Sequence, residues 1–172
     1  MRKLATFIVG VSAMALAVMV VTGVGTASQG PFFGADLHGG AEVPPVTTEA
    51  MGMATVNFKG DLTLADYRLE VVNAMNITQV HIHCGAAGAN GPVAVLLAGG
   101  PAGPGVMVGG LWTKMGDFMT ADIIMTPCGG TLAEFAAAMD AGNTYVNVHT
   151  TAHPPGEVRG QLMLQANGDE EA

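Results

Sequence analysis

Serine, basic residues and aromatic residues are scarce in this chain of 172 residues. Lysine and arginine number six against fourteen aspartates and glutamates, so the formal net charge is −8. Such a chain repels a phosphate backbone, and nucleic-acid binding is not expected. Beyond residue 27 the only serine is Ser28, and no activated nucleophile is recognisable, which argues against Ser-His-Asp catalysis. The acidic residues are dispersed, and no pair of them marks a glycosidase dyad.

The only long apolar run lies at the N-terminus. Arg2 and Lys3 precede an uncharged stretch, residues 4–21, and a small-residue region that ends at Ala27. This three-part pattern is typical of a secretory signal peptide, and cleavage after Ala27 would make Ser28 the first residue. The alternative is a retained membrane anchor, because the run approaches the ~20 residues that span a bilayer. The small residues near Ala27 favour cleavage.

Cleavage predicts an extracytoplasmic protein, periplasmic or secreted, with no stable membrane span. Loss of Arg2 and Lys3 leaves four basic residues against fourteen acidic ones, a formal charge of −10. The two cysteines, Cys84 and Cys128, are most simply one disulfide in an oxidising compartment. A thiolate metal ligand is the alternative, since Cys84 directly follows His83.

Short apolar or alternating segments separated by glycine, proline and asparagine predict an all-β fold. The alternation is clearest in residues 67–71, where Leu69 and Val71 point one way and Arg68 points the other. The predicted strands cover residues 32–37, 52–58, 67–71, 77–83, 93–97, 106–112, 118–125, 145–149 and 157–164.

One short helix is predicted near residues 131–141. Thr131 is a suitable N-cap, and Glu134 stands three positions later, as in a capping box. The predicted organisation is therefore a signal peptide (1–27), one β-domain (28–165) and an acidic, disordered tail (166–172).

Four of the five histidines fall in two short groups. His81 and His83 share one face of a strand, with Cα atoms ~6.5–7 Å apart, while Val80 and Ile82 face the core. The same alternation places Tyr145, Asn147 and His149 on one face of a later strand. If the two strands are neighbours, the side chains of His81, His83 and His149 meet.

Three imidazoles suit copper, zinc or nickel and leave an open coordination position. Copper is the favoured ion, and zinc is less favoured. His153 is a candidate fourth ligand, and Asn147 and Arg159 are candidate outer-shell groups. The alternative is a polar network without metal, in which hydrogen-bonded imidazoles hold two strands in register.

Nine methionines follow residue 27. Met51 and Met53 form an M-x-M pattern, and thioethers favour reduced copper. The others are scattered singly through apolar stretches, and core filling is the better interpretation for most of them.

Five motifs occur in order along the chain: Glu42-Val43-Pro44-Pro45-Val46, His81-Ile82-His83-x-Gly85, Asn90-Gly91-Pro92-Val93, Tyr145-Val146-Asn147-Val148-His149-Thr150 and Gly156-Glu157-Val158-Arg159-Gly160-Gln161. Together they resemble the CHRD domain, the module named after chordin, over residues 32–164. The resemblance implies an extracytoplasmic β-sandwich whose biochemical role is poorly defined. The growth-factor binding of chordin is not carried over, because this chain lacks the associated cysteine-rich modules.

The chain is also similar to copper–zinc superoxide dismutase, an immunoglobulin-like sandwich. His81, His83, His149 and Arg159 follow the order of that family's copper site, but no bridging histidine and no zinc-binding cluster are found. We therefore expect an exported binding protein with a mononuclear copper site. The alternatives are a metal-free module that meets a protein or cell-envelope partner, and a copper-dependent redox enzyme; an enzyme is not favoured.

Overall fold

The computed structural model describes residues 29–99 and 110–166. In these two segments the chain forms nine strands and one α-helix: β1 (Gln29–His38), β2 (Met51–Lys59), β3 (Ala65–Val72), β4 (Ile77–Cys84), β5 (Val93–Gly99), β6 (Trp112–Phe118), α1 (Leu132–Asp140), β7 (Thr144–Thr150), β8 (Val158–Gln161) and β9 (Met163–Leu164). The predicted all-β class with one short helix is confirmed. Within the described segments, no helix has the length and apolar character needed to cross a membrane. The predicted signal peptide and residues 167–172 lie outside them.

The strands are antiparallel and follow the order β5-β4-β7-β8-β1-β2-β3-β6, with β9 added to β1. The sheet folds over at β8 and β1, which meet at the pair His38 and Arg159. At the other side the hydroxyl of Tyr67 in β3 donates a hydrogen bond to the carbonyl of Leu97 in β5. The result is an antiparallel β-sandwich whose layers nearly close around one core.

The core is built by the predicted alternation. Leu69 and Val71 of β3 are fully buried, and Arg68 between them is exposed. Phenylalanines from β1, β2, β6 and α1 pack edge to face in a row, namely Phe33, Phe58, Phe118 and Phe135. Burial of each such side chain contributes roughly 1.5–3 kcal/mol to the hydrophobic stabilisation.

Helix α1 begins with the predicted capping box. The Thr131 hydroxyl accepts a hydrogen bond from the backbone N–H of Glu134 at 3.2 Å, and the Glu134 carboxylate accepts one from the Thr131 N–H at 3.1 Å. The sulfur atoms of Cys84 and Cys128 lie 2.03 Å apart, at the bonding distance of a disulfide. This bond ties the end of β4 to the segment that leads into the helix.

The predicted strand over residues 118–125 is wrong. Strand β6 ends at Phe118, and a short 3₁₀ helix, Thr120–Asp122, follows. The Asp122 carboxylate turns the chain by accepting a hydrogen bond from the Met119 N–H at 2.9 Å. Of the predicted strand over residues 106–112, positions 106–109 lie outside the described residues, and β6 begins only at Trp112.

The interpretation of most methionines as core filler is also wrong. Among the methionines of the described segments, Met139 is fully buried. Seven others are about half exposed or more: Met51, Met53, Met75, Met115, Met119, Met125 and Met163. Met51 and Met53 are exposed because the alternation of side chains along β2 turns these two positions outward.

Candidate metal centre

The pairing of β4 with β7 brings the two histidine groups together. In this register His81 lies opposite Asn147, and Gln79 lies opposite His149. The imidazoles of His81, His83 and His149 therefore share the outer face of two neighbouring strands. One ring nitrogen of each lies within 4.8 Å of the others, and Nδ1 of His81 lies 3.0 Å from Nε2 of His149.

Backbone carbonyls orient two of the three rings. Nδ1 of His83 lies 2.9 Å from the carbonyl oxygen of Gly91, and Nδ1 of His149 lies 3.0 Å from that of Pro154. A carbonyl only accepts hydrogen bonds, so each Nδ1 carries the proton and each Nε2 presents its lone pair. Nε2 of His83 is buried and, among the described residues, has no hydrogen-bond partner.

Burial keeps these imidazoles neutral. Each of the three histidines is at most 9% exposed. Burial lowers the pKa of His81 to about 4, and the neighbouring His149 and His83 add to this shift. Burial also lowers the pKa of His83 and of His149, although their carbonyl hydrogen bonds act in the opposite direction. Near neutral pH the rings are thus in the form that binds metals.

Tyr145 and Gly91 support His83, and the sequence did not single out either residue for this role. The rings of His83 and Tyr145 stack with centroids 4.9 Å apart and planes 9° from parallel. The Tyr145 hydroxyl accepts a hydrogen bond from the Gly91 N–H at 3.1 Å. A Cβ atom on Gly91 would lie 1.7 Å from the carbonyl oxygen of Cys84, so only glycine allows this approach. The sequence signal that could have pointed to Tyr145 is its position on the same strand face as Asn147 and His149.

Arg159 holds the loops that cover this face of the sheet. Its Nε donates to the carbonyl of Ala41 at 2.6 Å, and one terminal nitrogen donates to the carbonyl of Ala89 at 3.2 Å and to the Asn90 side chain at 3.0 Å. The guanidinium also lies 4.8 Å from the centre of the Tyr145 ring. Among the described residues, Arg159 makes no hydrogen bond to the three histidines. It supports them through Tyr145 and the covering loops, and its charge adds to the lowering of the His83 pKa that burial causes.

Glu42 is a buried acid whose place beside the centre was not predicted from the sequence. Its carboxylate lies 3.6 Å from Nε of Arg159, and the residue is 5% exposed. Burial raises the pKa of Glu42 to about 7, although the Arg159 charge acts to lower it. Its presence in the first motif was the only sequence signal.

Of the other two predicted site residues, Asn147 lies next to the three histidines and His153 lies apart from them. Asn147 is buried beside His81, its amide nitrogen lies 3.5 Å from the carbonyl of Pro155, and its side-chain oxygen has no hydrogen-bond partner among the described residues. His153 is partly exposed and is not part of the three-histidine group. It lines a separate cavity of about 210 Å³ together with Glu42 and Gly156.

The donor set fits a metal ion. Metal–nitrogen bonds of ~2 Å to one ion bring two imidazole nitrogens to roughly 3–4 Å from each other. The His81–His149 distance of 3.0 Å is close to this range. Nε2 of His149 and the unpartnered Nε2 of His83 each supply a lone pair, and Nδ1 of His81 supplies the third once its proton moves to the other nitrogen of the ring. These three nitrogens would hold the ion.

The fold and the buried histidine group thus define an all-β domain with a candidate metal centre. The family model of the CHRD domain matches residues 33–162, and the chain belongs to the CHRD domain family. This confirms the family predicted from the five motifs. A comparison with curated proteins found no match. All five motifs contribute a residue to the centre or to its cover, among them Glu42, Gly91 and Arg159.

Proposed function

We propose that this protein is exported and binds one copper ion through His81, His83 and His149. The observation that carries the proposal is the convergence of three neutral imidazole nitrogens within 4.8 Å on one sheet face. Two of the rings are fixed by carbonyls in the tautomer that directs Nε2 away from the backbone. Such outer contacts orient histidine ligands in metal sites and raise their basicity.

Copper is proposed because of the donor type. Imidazole nitrogen suits copper, zinc and nickel, and among divalent ions Cu²⁺ forms the strongest complexes with such sites. The three histidine residues are each at most 9% exposed, so a bound ion would be covered by protein. This cover favours a binding role over an enzyme that meets an external substrate.

Export is proposed from residues 1–27 and from the cysteine pair. The N-terminal pattern is typical of a signal peptide, and a disulfide between Cys84 and Cys128 suits an oxidising compartment. Mass spectrometry of the protein recovered from the periplasm or medium tests this part. We expect a chain that starts at Ser28, whereas an intact N-terminus in the membrane fraction would contradict export by cleavage.

A copper titration of residues 28–172 tests the metal site. We expect one tightly bound Cu²⁺ per chain. Calorimetry measures the stoichiometry and affinity, and the nitrogen hyperfine pattern of the electron paramagnetic resonance spectrum shows that imidazoles are the ligands. His81→Ala combined with His83→Ala removes two donors and should weaken binding by at least roughly 100-fold, since even outer-shell losses cost 10–100-fold.

His153→Ala is the matched control, because it removes a histidine that lies outside the group. We expect unchanged affinity in this variant. Equal affinity in the wild type and the double variant would disprove the copper site. Preference for zinc over copper in a competition experiment would retain the site and correct the ion.

The second candidate function is a structural module without metal. The 3.0 Å contact between His81 and His149 supports it as well as it supports the copper site, because the contact can equally be a hydrogen bond. In this case the histidines stabilise the pairing of β4 and β7, and the covering loops meet a protein or cell-envelope partner. The double variant would then lose the same thermal stability with and without copper. Under the copper proposal, copper raises the melting temperature of the wild type alone.

A further inference from the structure

Two methionines occupy outward positions on β2 and lie beside a histidine. Met51 is 53% exposed and Met53 is 52% exposed. Both share the outer face of the strand, since they are two residues apart. His38 of β1 is the direct cross-strand partner of Met51, and it too is exposed. An imidazole and two thioethers are therefore presented together on the surface.

We propose that His38, Met51 and Met53 form a second metal site, on the surface, that takes Cu(I). Directly opposite residues of an antiparallel pair have Cβ atoms about 4.5–5.5 Å apart, and diagonal neighbours remain within reach of long side chains. Methionine is unbranched and has three rotatable bonds, so both sulfur atoms can turn toward the histidine ring.

The chemistry of the three donors selects a soft, monovalent ion. Thioethers bind Cu(I), and imidazole binds copper as well, whereas calcium and magnesium require oxygen donors. In the described part of the chain, the imidazoles that make hydrogen bonds are those of His81, His83 and His149, so metal binding at His38 would break none.

Carboxylates on both sides favour a cation at this place. Met53 lies opposite Asp36 of β1 and opposite Glu70 of β3. Negative charge raises the local concentration of cations and speeds their encounter with the surface. Glu70 forms a salt bridge with Arg68, whereas Asp36 is in none of the salt bridges between the described residues.

The surface site is independent of the three-histidine centre. Its donors come from β1 and β2, whereas the centre uses β4 and β7, so the two sites share no donor, although His38 lies opposite Arg159 of β8. The two donor sets also differ in softness, so the surface site should favour Cu(I) and the buried centre Cu(II). Failure of one proposal leaves the other unaffected.

The test uses Ag(I), a redox-stable analogue of Cu(I), with residues 28–172 labelled with ¹³C in the methionine methyl groups. We expect Ag(I) to shift the methyl signals of Met51 and Met53 at one equivalent. The signals of Met115 and Met163, which are 60% and 53% exposed, serve as internal controls and should stay unchanged. Equal shifts of all exposed methionines, or none at Met51 and Met53, would overturn the proposal.

Cu(I) affinity, measured without oxygen against bicinchoninate, gives the second readout. Met51→Leu with Met53→Leu should weaken the surface site by roughly tenfold or more, and His38→Ala should weaken it as well. Met115→Leu with Met163→Leu is the matched control and should change nothing. The methionine variants conserve side-chain volume at exposed positions, so the fold should persist, and Cu(II) binding at the buried centre should be unchanged. Unaltered Cu(I) affinity in the first pair would disprove the site.

Discussion

The imidazole of His83 stacks on the phenol ring of Tyr145, with centroids 4.9 Å apart and planes 9° from parallel. The two side chains also hold Gly91 from both sides: His83 donates to its carbonyl and Tyr145 accepts from its N–H. The covering loop and the ring orientation are therefore coupled through one residue. Several experiments can separate these contributions.

Tyr145→Phe removes the hydroxyl and keeps the stacked ring. We expect the free energy of unfolding to fall by about 1 kcal/mol, because the partly buried Gly91 N–H loses its acceptor. Copper affinity should also fall, since the Gly91 carbonyl would hold His83 less firmly. Urea unfolding and copper titration measure the two effects. A stability equal to that of the wild type would show that water replaces the hydroxyl without cost.

Gly91→Ala tests the close approach of the loop to β4. The new Cβ atom would meet the Cys84 carbonyl at 1.7 Å, so the backbone must move. We expect a loss of about 3 kcal/mol or more in unfolding free energy and a loss of copper binding. Gly110→Ala is the control, because a Cβ atom there meets nothing within 4 Å. Equal stability of both variants would contradict the described packing.

Acid should destabilise the chelator-treated protein through its buried histidines. The pKa of His81 is lowered from 6.5 to about 4, so between these values the unfolded chain binds more protons than the folded one. The contribution of His81 to the free energy of unfolding is therefore largest above pH 6.5 and decreases as the pH falls toward 4. The shifts of His83 and His149 have the same sign. Each histidine contributes a slope of up to about 1.4 kcal/mol per pH unit.

Urea unfolding at several pH values between 4.5 and 7.5 measures this slope. His81→Ala should make it shallower, whereas His153→Ala should leave it unchanged. The Glu42→Gln variant removes the opposing titration of Glu42 from this window. Stability of that variant that stays constant between pH 6.5 and 5 would show that the rings are protonated in the folded protein at little cost.

Titration of Glu42 should change the free energy of unfolding with pH in the direction opposite to that of the histidines. Its pKa is raised from 4.5 to about 7, so the folded state binds more protons in this window, and stability falls as the pH rises through it. Glu42→Gln removes the ionisation, and its stability relative to the wild type should improve by roughly 2–3 kcal/mol between pH 5 and 8. The exposed Glu49→Gln serves as the matched control. A pH-independent difference would contradict the buried, titrating acid.

Removal of the cysteine pair separates stability from metal binding. Cys84→Ala with Cys128→Ala opens a cross-link between positions 44 residues apart. We expect a loss of about 4 kcal/mol in the chain-entropy model, measured by urea unfolding at low temperature. Copper binding should persist in the folded variant, since the proposed donors are nitrogens. Loss of copper from a folded variant would instead support a cysteine ligand.

Local features of the chain were predictable because they depend on neighbouring residues alone. Helix α1 was recognisable from Thr131 and Glu134, whose capping contacts span three positions. The alternation that buries Leu69 and exposes Arg68 was likewise evident from a period of two. The strand predicted over residues 118–125 failed because apolar content alone does not show where Asp122 turns the chain.

Alternation along each strand, the capping of α1 and the shared faces of the two histidine groups were thus determined by the sequence alone, since each arises within a few residues. The pairing of β4 with β7, the carbonyls of Gly91 and Pro154 beside the rings, and the exposure of Met51 next to His38 were decided by the tertiary structure. These relations join segments far apart in the chain. Their register follows from packing of the whole core, which no local pattern encodes.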